Sequence, residues 1–278
     1  MKSDVMTLED KGFLNVGSQR LEYRMIGPRP EDAPTIVMLH EGLGCVGLWG
    51  DFPDKLAAAT GAGVFVYSRA GYGQSSPVAL PRPLDYMDDE AKRVLPAVMQ
   101  AIGFRRGLLI GHSDGASIAA LYAGSVQDHR IRGLVLIAPH FFVEDVSIKS
   151  IAEARDAYAN TDLEAKLGKW HADPDNAFRG WNDAWLDPAF RSWNIVEELS
   201  YIRVPMLIVQ GENDQYGTMR QIEVAEEECY CPVDVAVIAG ARHTPQRDAR
   251  EETLATIAEF TTRLLRDHQE GELPAKAA

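Results

Sequence analysis

Five apolar, β-branched runs alternate with helix-like segments along the 278-residue chain, and they constrain its fold more than any other feature. The runs cover residues 35–40, 63–67, 106–110, 131–138 and 205–210. Their near-continuous hydrophobicity is typical of strands buried on both faces. Strands that alternate with helices predict an α/β fold, in which a mainly parallel sheet is covered by helices on both faces.

Weaker signals complete this pattern and bring the predicted sheet to eight strands. Residues 13–15 and 21–26 flank Gly17 and Ser18 as a hairpin would, and residues 233–238 form a last strand. Pro96 lies inside an amphipathic run and predicts a kink or an imperfect turn there. Helices are predicted at residues 51–59, 88–103, 113–123, 218–229 and 248–266.

Residues 140–201 interrupt the alternation, because strand-like runs give way to a helical, acidic, tryptophan-rich segment. We interpret this segment as a helical cap over the carboxyl edge of the sheet, where α/β folds bind ligands. Residues 1–139 and 202–278 would then form the core. Six aromatic residues could line a pocket under the cap, although packing is the commoner role for any one of them: Phe141, Phe142, Trp170, Trp181, Trp185 and Trp193.

The strongest chemical signal lies at residues 108–120, where an apolar strand passes through Gly111-His112-Ser113-Asp114-Gly115 into a helix of small residues. A G-x-S-x-G pattern between a strand and a helix predicts a sharp turn that exposes the serine hydroxyl. The alternative is a glycine-rich turn in which serine only caps the helix. We favour Ser113 as a nucleophile.

A nucleophilic serine needs a histidine base and an acid that orients it. Asp214 follows the strand at 205–210 and His243 follows the strand at 233–238, so both lie at the same sheet edge as Ser113. Serine, acid and histidine also occur in the order typical of such folds. Glu212 and Asp234 are rival acids, whereas His171 and His268 follow no predicted strand.

A tetrahedral intermediate needs N–H donors for its oxyanion. The main-chain N–H of Asp114 is one candidate, because it follows the nucleophile at the positive end of a helix. Gly42, in the glycine-rich loop after the strand at 35–40, is the second. Its neighbour Leu43 stays open as an alternative and as a substrate contact.

These motifs resemble the α/β-hydrolase family over nearly the whole chain. The resemblance rests on His40 to Gly44 with Trp49 downstream, Gly71 to Ser75, Gly111 to Gly115, Gly211 to Asp214 and Gly240 to His243. It implies a cofactor-independent serine hydrolase with a Ser113–Asp214–His243 triad and no metal, acting on a small-molecule substrate such as a carboxylic ester. One departure is Glu41, because family members often have glycine after this histidine.

The Ser113-Asp114-Gly115 core and the cap are also similar to the valacyclovir hydrolase-like branch, which cleaves amino-acid esters. That resemblance implies that the Asp114 carboxylate meets a substrate amino group. An acid favoured at a helix N-terminus is the alternative. Resemblance to hydrolases of C–C bonds in ring-cleavage products is present too, and a hydrolase fold that only binds a ligand is a third possibility.

The composition of the chain argues against several classes of binding partner. A net charge of −13 argues against nucleic acid or an anionic membrane surface, and no apolar run approaches the ~20 residues of a membrane span. Three cysteines, Cys45, Cys229 and Cys231, indicate neither a disulfide framework nor a zinc site. With no signal-peptide pattern in residues 1–10, we expect a cytoplasmic monomer or homodimer.

Overall fold

The computed structural model describes residues 8–270 and contains one eight-stranded sheet, in the order β1-β2-β4-β3-β5-β6-β7-β8. β2 is antiparallel to both neighbours, and every other pair is parallel. The strands are β1 (Lys11–Val16), β2 (Gln19–Ile26), β3 (Thr35–Leu39), β4 (Gly63–Tyr67), β5 (Gly107–His112), β6 (Ile131–Ile137), β7 (Met206–Gly211) and β8 (Val233–Ile238). The predicted α/β fold with a mainly parallel sheet is confirmed.

Helices cover both faces of this sheet, because successive residues of each strand point to opposite sides. In β3, Ile36 and Met38 enter one hydrophobic core, whereas Val37 and Leu39 enter the other. The helices are α1 (Phe52–Thr60), α2 (Tyr86–Asp89), α3 (Leu95–Ala101), α4 (Asp114–Ser125), α5 (Asp145–Asn160), α6 (Leu163–Leu167), α7 (Pro174–Leu186), α8 (Val196–Leu199), α9 (Arg220–Glu228), α10 (Pro245–Asp248) and α11 (Arg250–Glu270). α1 packs with α11 over the first core, and α4 covers the second.

The predicted bounds agree with the structure most closely in β4, which is buried, and in β8, the half-exposed strand at the sheet edge. β4 and β8 coincide with their predicted runs, whereas β5 continues two residues further, because His112 still pairs with Ile137 of β6. The helix predicted at 88–103 is interrupted by a π-helical turn, Glu90–Val94, directly before α3. Pro96 in the first turn of α3 lacks an N–H donor, which accounts for the predicted imperfection.

Residues 140–201 form no strand of the sheet and contain α5 to α8, as their texture predicts. A 3₁₀ helix, Pro188–Ser192, joins the last two of these helices. That residues 140–201 act as a cap on a core formed by the rest of the chain stays a prediction. The N-terminal prediction concerns residues 1–10, most of which lie outside the described residues.

Candidate active site

Ser113 occupies the turn between β5 and α4 in a backbone conformation that is rare for a residue with a side chain. Its φ is 53° and its ψ is −120°. A Cβ at Gly111 would lie 2.2 Å from the carbonyl oxygen of Gly115, and a Cβ at Gly115 would lie 2.1 Å from the carbonyl oxygen of Leu39. Both glycines of the G-x-S-x-G pattern are therefore required by close backbone contacts.

The structure brings together the three residues that the sequence places at three separate strand ends. The Ser113 Oγ lies 3.0 Å from His243 Nε2. His243 Nδ1 lies 2.9 Å and 2.8 Å from the two carboxylate oxygens of Asp214. A hydroxyl, an imidazole and a carboxylate connected in this order can transfer a proton from the serine to the histidine.

Asp214 is held as an ionised acceptor. Its carboxylate accepts hydrogen bonds from Gln210 Nε2 at 2.8 Å and from the main-chain N–H of Tyr216 at 2.7 Å. Burial alone would raise the pKa of this carboxyl, but the hydrogen bond from His243 and its charge lower the pKa to about 2. An ionised Asp214 accepts the Nδ1–H of His243, which leaves Nε2 free to accept the serine proton.

The rival candidates have other roles. Glu212 is exposed and accepts a hydrogen bond from the main-chain N–H of Gly240 at 2.8 Å. Asp234 forms a surface ion pair with Arg263. His171 contacts main-chain groups with both ring nitrogens. These contacts are structural, and Asp214 is the acid that contacts His243.

The two candidate oxyanion donors flank the nucleophile. Asp114 is the first residue of α4, so its N–H has no partner within the helix. Gly42 and Leu43 line the same cavity as Ser113. A Cβ at Gly42 would lie 2.2 Å from the indole of Trp181, which explains the glycine in this loop.

A cavity of about 100 Å³ opens beside Ser113 and His243. Helices α5 and α7 close it with Ile151, Trp181 and Trp185. Of the six aromatic residues considered from the sequence, only these two tryptophans line it, and Trp170 is 44% exposed elsewhere. The remaining lining residues are Glu41, Gly42, Leu43, Asp114, His140 and Tyr216.

The Asp114 carboxylate is completely buried under this cavity. Tyr86 donates its hydroxyl hydrogen to Oδ2 at 2.5 Å, and Trp185 donates its Nε1–H to Oδ1 at 3.2 Å. Burial raises the pKa of the carboxyl, and the charges of Arg69 and Arg82 together with these hydrogen bonds offset part of that rise. The side chain is therefore fixed in one orientation by residues from α2 and α7.

Sequence reasoning missed three residues at the site. His140 follows β6 and Tyr216 follows Asp214, so the rule that strand ends carry the site could have indicated both. Burial lowers the pKa of His140 to about 3, so this ring is neutral. Tyr86 opens α2, well beyond the end of β4 at Tyr67, and could not have been found in that way. Arg69 is buried and donates to the carbonyl oxygens of His40 and Glu41, which is a structural role.

Residues 36–256, which include Ser113, Asp214 and His243, match the sequence profile described as the alpha/beta hydrolase family. The chain belongs to this family. The crystal structure of the enol-lactonase from Burkholderia xenovorans LB400 has the same hydrolase fold. It superposes with a TM-score of 0.71 over 90% of this chain and all of that chain, at 20% identity.

Two curated hydrolases match this chain over part of their length. The human (lyso)-N-acylphosphatidylethanolamine lipase is 32% identical over 117 residues, which are 42% of this chain and only 33% of the lipase. The bifunctional esterase/perhydrolase DCH of Acinetobacter calcoaceticus is 26% identical over an alignment of 226 positions that covers 69% of this chain and 78% of that enzyme. The match to the lipase thus spans about a third of that relative's length.

Two further properties concern the described residues as a whole. Within residues 8–270, no helix combines the length and the hydrophobicity needed to cross a membrane. The same residues contain no group of three histidine, cysteine or acidic side chains placed to hold a metal ion.

Proposed function

We propose that this alpha/beta hydrolase is a cofactor-independent serine hydrolase that cleaves a small carboxylic ester through an acyl-enzyme on Ser113. One observation carries the proposal: Ser113 Oγ is 3.0 Å from His243 Nε2 while Asp214 holds the opposite ring nitrogen. The relatives named above include an esterase and a lipase, which supports ester chemistry.

In the proposed reaction, His243 removes the Ser113 proton as the oxygen attacks the ester carbonyl. Asp214 stabilises the imidazolium that forms, and His243 then returns the proton to the departing alkoxide. Water, activated by the same histidine, hydrolyses the acyl-enzyme and restores the serine. The N–H groups of Asp114 and Gly42 hold the oxyanion in both steps.

The size of the cavity supports a small acyl group. An engineered cavity of roughly 150 Å³ accommodates benzene, so about 100 Å³ admits a group of only a few heavy atoms. Residues 140–201 contribute its roof through α5 and α7, and we propose that this block acts as a cap that selects substrates by size. Larger esters would require the cap to move.

The test is covalent labelling with a fluorophosphonate, followed by intact mass and peptide mapping. We expect one adduct per chain, on the peptide that contains Ser113, and none on heat-denatured protein. The denatured control separates an activated serine from ordinary hydroxyl reactivity. A folded protein that stays unlabelled would contradict catalysis and favour a hydrolase fold that only binds a ligand.

We further propose that Asp114 recognises an amino group on the acyl part of the substrate. Asp114 lines the cavity next to the nucleophile, and each carboxylate oxygen keeps a free lone pair after accepting from Tyr86 or Trp185. Glu41 is the other acid at the cavity, and among the described residues no lysine or arginine lines it. A cationic group would therefore be favoured there over an anionic one.

Replacing Asp114 with Asn tests this recognition, because the amide keeps the shape and the main-chain N–H but loses the charge. We expect kcat/KM for aminoacyl esters to fall about 10- to 100-fold, the effect of a charged hydrogen bond of about 1.5–3 kcal/mol. Unsubstituted esters of equal acyl size should change less than about threefold and serve as the control. Equal losses for both ester series would show that Asp114 does not recognise an amino group.

A further inference from the structure

Arg69 lies in the loop after β4 and is completely buried, although an arginine side chain keeps its charge. Its guanidinium forms no ion pair with a carboxylate of the described residues, and its Nε–H is buried without a partner among them. A buried cation without a direct counter-charge is costly, and an apolar side chain would be cheaper at such a position. An arginine here therefore indicates a role that an apolar residue cannot perform.

The structural contacts of Arg69 hold two successive carbonyl groups in the loop after β3. The guanidinium donates from Nη1 to the carbonyl oxygen of His40 and from Nη2 to that of Glu41, the second at 3.1 Å. Arg69 does not line the cavity beside Ser113, so it can affect a reaction there only through this loop. It supports the site from behind and does not contact the substrate.

The Glu41 carbonyl oxygen accepts from two further groups. The main-chain N–H of Gly44 donates to it at 3.1 Å. His40 Nε2 accepts from the main-chain N–H of Arg69 at 3.0 Å, so the hydrogen of a neutral ring is on Nδ1, which lies 2.7 Å from the same Glu41 oxygen. Burial and the charge of Arg69 hold the pKa of His40 well below its usual value, in agreement with a neutral ring. Three donors thus converge on one carbonyl.

This carbonyl belongs to the peptide group that carries the N–H of Gly42. The peptide is trans, so its C=O and N–H point in opposite directions, and donors behind the Glu41 oxygen direct the Gly42 N–H away from Arg69. Gly42 lines the cavity, and its N–H has no partner among the described residues. In the next peptide, neither the Gly42 carbonyl nor the Leu43 N–H forms a hydrogen bond within residues 8–270. The N–H of Gly42 is therefore fixed by its own peptide, whereas no hydrogen bond fixes that of Leu43.

We propose that Arg69 is a positioning residue of the oxyanion site: through the Glu41 carbonyl it fixes and polarises the peptide whose N–H, at Gly42, holds the oxyanion. The inference rests on the proposed function, because that reaction is what forms an oxyanion beside Ser113. Hydrogen bonds at a carbonyl polarise its peptide group, so the opposite N–H becomes a better donor. A donor that is already oriented also avoids reorganisation when charge develops in the transition state.

Two buried acids offset the charge of Arg69 at longer range than an ion pair. Its charge lowers the carboxyl pKa of Asp114 and of Glu90, against the rise that burial causes in both. Within residues 8–270, Arg69 forms no hydrogen bond with His243, whose ring becomes positive in the proposed reaction. The guanidinium therefore acts on the oxyanion donor and not on the base.

The direct test is the ¹⁵N resonance of the Gly42 amide in the ligand-free protein, because this nitrogen responds to hydrogen bonds at the carbonyl of the same peptide group. We expect the resonance to move upfield in Arg69→Met. Arg130→Met is the matched control, since it removes an arginine that donates to the carbonyl of Phe104 at the amino edge of the sheet, and it should leave Gly42 unchanged. An unchanged Gly42 resonance in folded Arg69→Met would overturn the proposal.

The kinetic test combines a short-chain ester with a trifluoromethyl ketone, whose adduct with Ser113 places an oxyanion in the same site. In Arg69→Met, we expect kcat to fall about 10- to 100-fold, less than for loss of a donor itself, while KM changes less than about threefold. The inhibition constant of the ketone should rise by the factor by which kcat/KM falls. Unchanged kcat, or a change confined to KM, would show that Arg69 does not act on the oxyanion.

Arg69→Lys tests for rescue by a conservative substitution. Lysine keeps the charge and three donors but loses the planar fork that holds two carbonyls at once. We expect its kcat and its Gly42 resonance to lie between those of Arg69→Met and the parent. Arg130→Met should match the parent in kcat, KM and ketone inhibition.

The two tests separate this inference from the proposed function. If the parent forms no adduct with a fluorophosphonate, the proposed hydrolase activity fails, whereas the Gly42 resonance still decides whether Arg69 fixes this peptide. If the parent reacts and folded Arg69→Met is unimpaired, only the role of Arg69 fails. Thermal unfolding of each variant, measured beside the parent, establishes that folded proteins are compared. If Arg69→Met is not folded, Arg69→Lys provides both comparisons, with changes in the same directions.

Discussion

Replacing Ser113 with alanine is expected to lower kcat for a small ester by about 10⁵-fold or more, because the attacking oxygen is lost while the rest of the site remains. In comparable serine enzymes, loss of the nucleophile alone costs nearly as much as loss of the whole triad, and the residual rate comes from the oxyanion donors. The measurement is the initial rate of hydrolysis of a short-chain nitrophenyl ester, with protein purified away from other esterases.

Ser125→Ala is the matched control, since it removes an exposed hydroxyl at the other end of the same helix. Its rate should equal that of the parent. Both variants should unfold near the parent temperature, because the Ser113 hydroxyl bonds only to His243 among the described residues. More than about 1% residual activity in Ser113→Ala would mean that another group attacks the substrate.

The sequence predicts the fold of this chain well where burial alone decides the structure. β4 is apolar on both faces, so its bounds could be located from five successive residues. The helix around Pro96 shows the limit: the missing N–H predicts an irregular turn, but not that the turn is π-helical or that the helix begins at Tyr86. These details depend on how the segment packs against α4, and a local sequence pattern holds no information about that contact.

The candidate triad could be predicted because each member follows a strand, and parallel strands bring their carboxyl ends to one edge. The sequence gives a weaker indication that Trp181 and Trp185 act together, since residues four apart share one face of a helix. Their spacing distinguishes this pair from Trp170, but it does not show which face of the helix covers the cavity.

No sequence pattern indicates the side-chain contacts between distant parts of the chain. Glu41 and His112 are 71 positions apart, and Tyr86, Asp114 and Trp185 come from three separate helices. No periodicity or strand-end rule relates their side chains to each other. The sequence therefore indicates the groups that react, whereas the groups that hold them in place emerge only from the packed structure.

The environment of Asp214 explains why Asp214→Asn should be nearly as damaging as loss of the nucleophile. The fixed main-chain N–H of Tyr216 donates to Oδ1, so an asparagine keeps its oxygen there and places its NH₂ at the Oδ2 position. That position is 2.8 Å from His243 Nδ1. Gln210, whose buried Oε1 has no partner, can turn to accept from the new NH₂ and stabilise this arrangement.

An NH₂ group facing Nδ1 favours the tautomer of His243 that carries its hydrogen on Nε2, and that nitrogen can no longer accept the Ser113 proton. We expect kcat to fall about 10⁴-fold with little change in KM, as in other triads with this substitution. Glu212→Gln, two residues earlier in the same loop and exposed, is the control and should retain full activity. A loss below about tenfold in Asp214→Asn would mean that an oxygen still accepts the Nδ1–H of His243, either the Asn oxygen at the Oδ1 position, 2.9 Å from Nδ1, or a different acceptor.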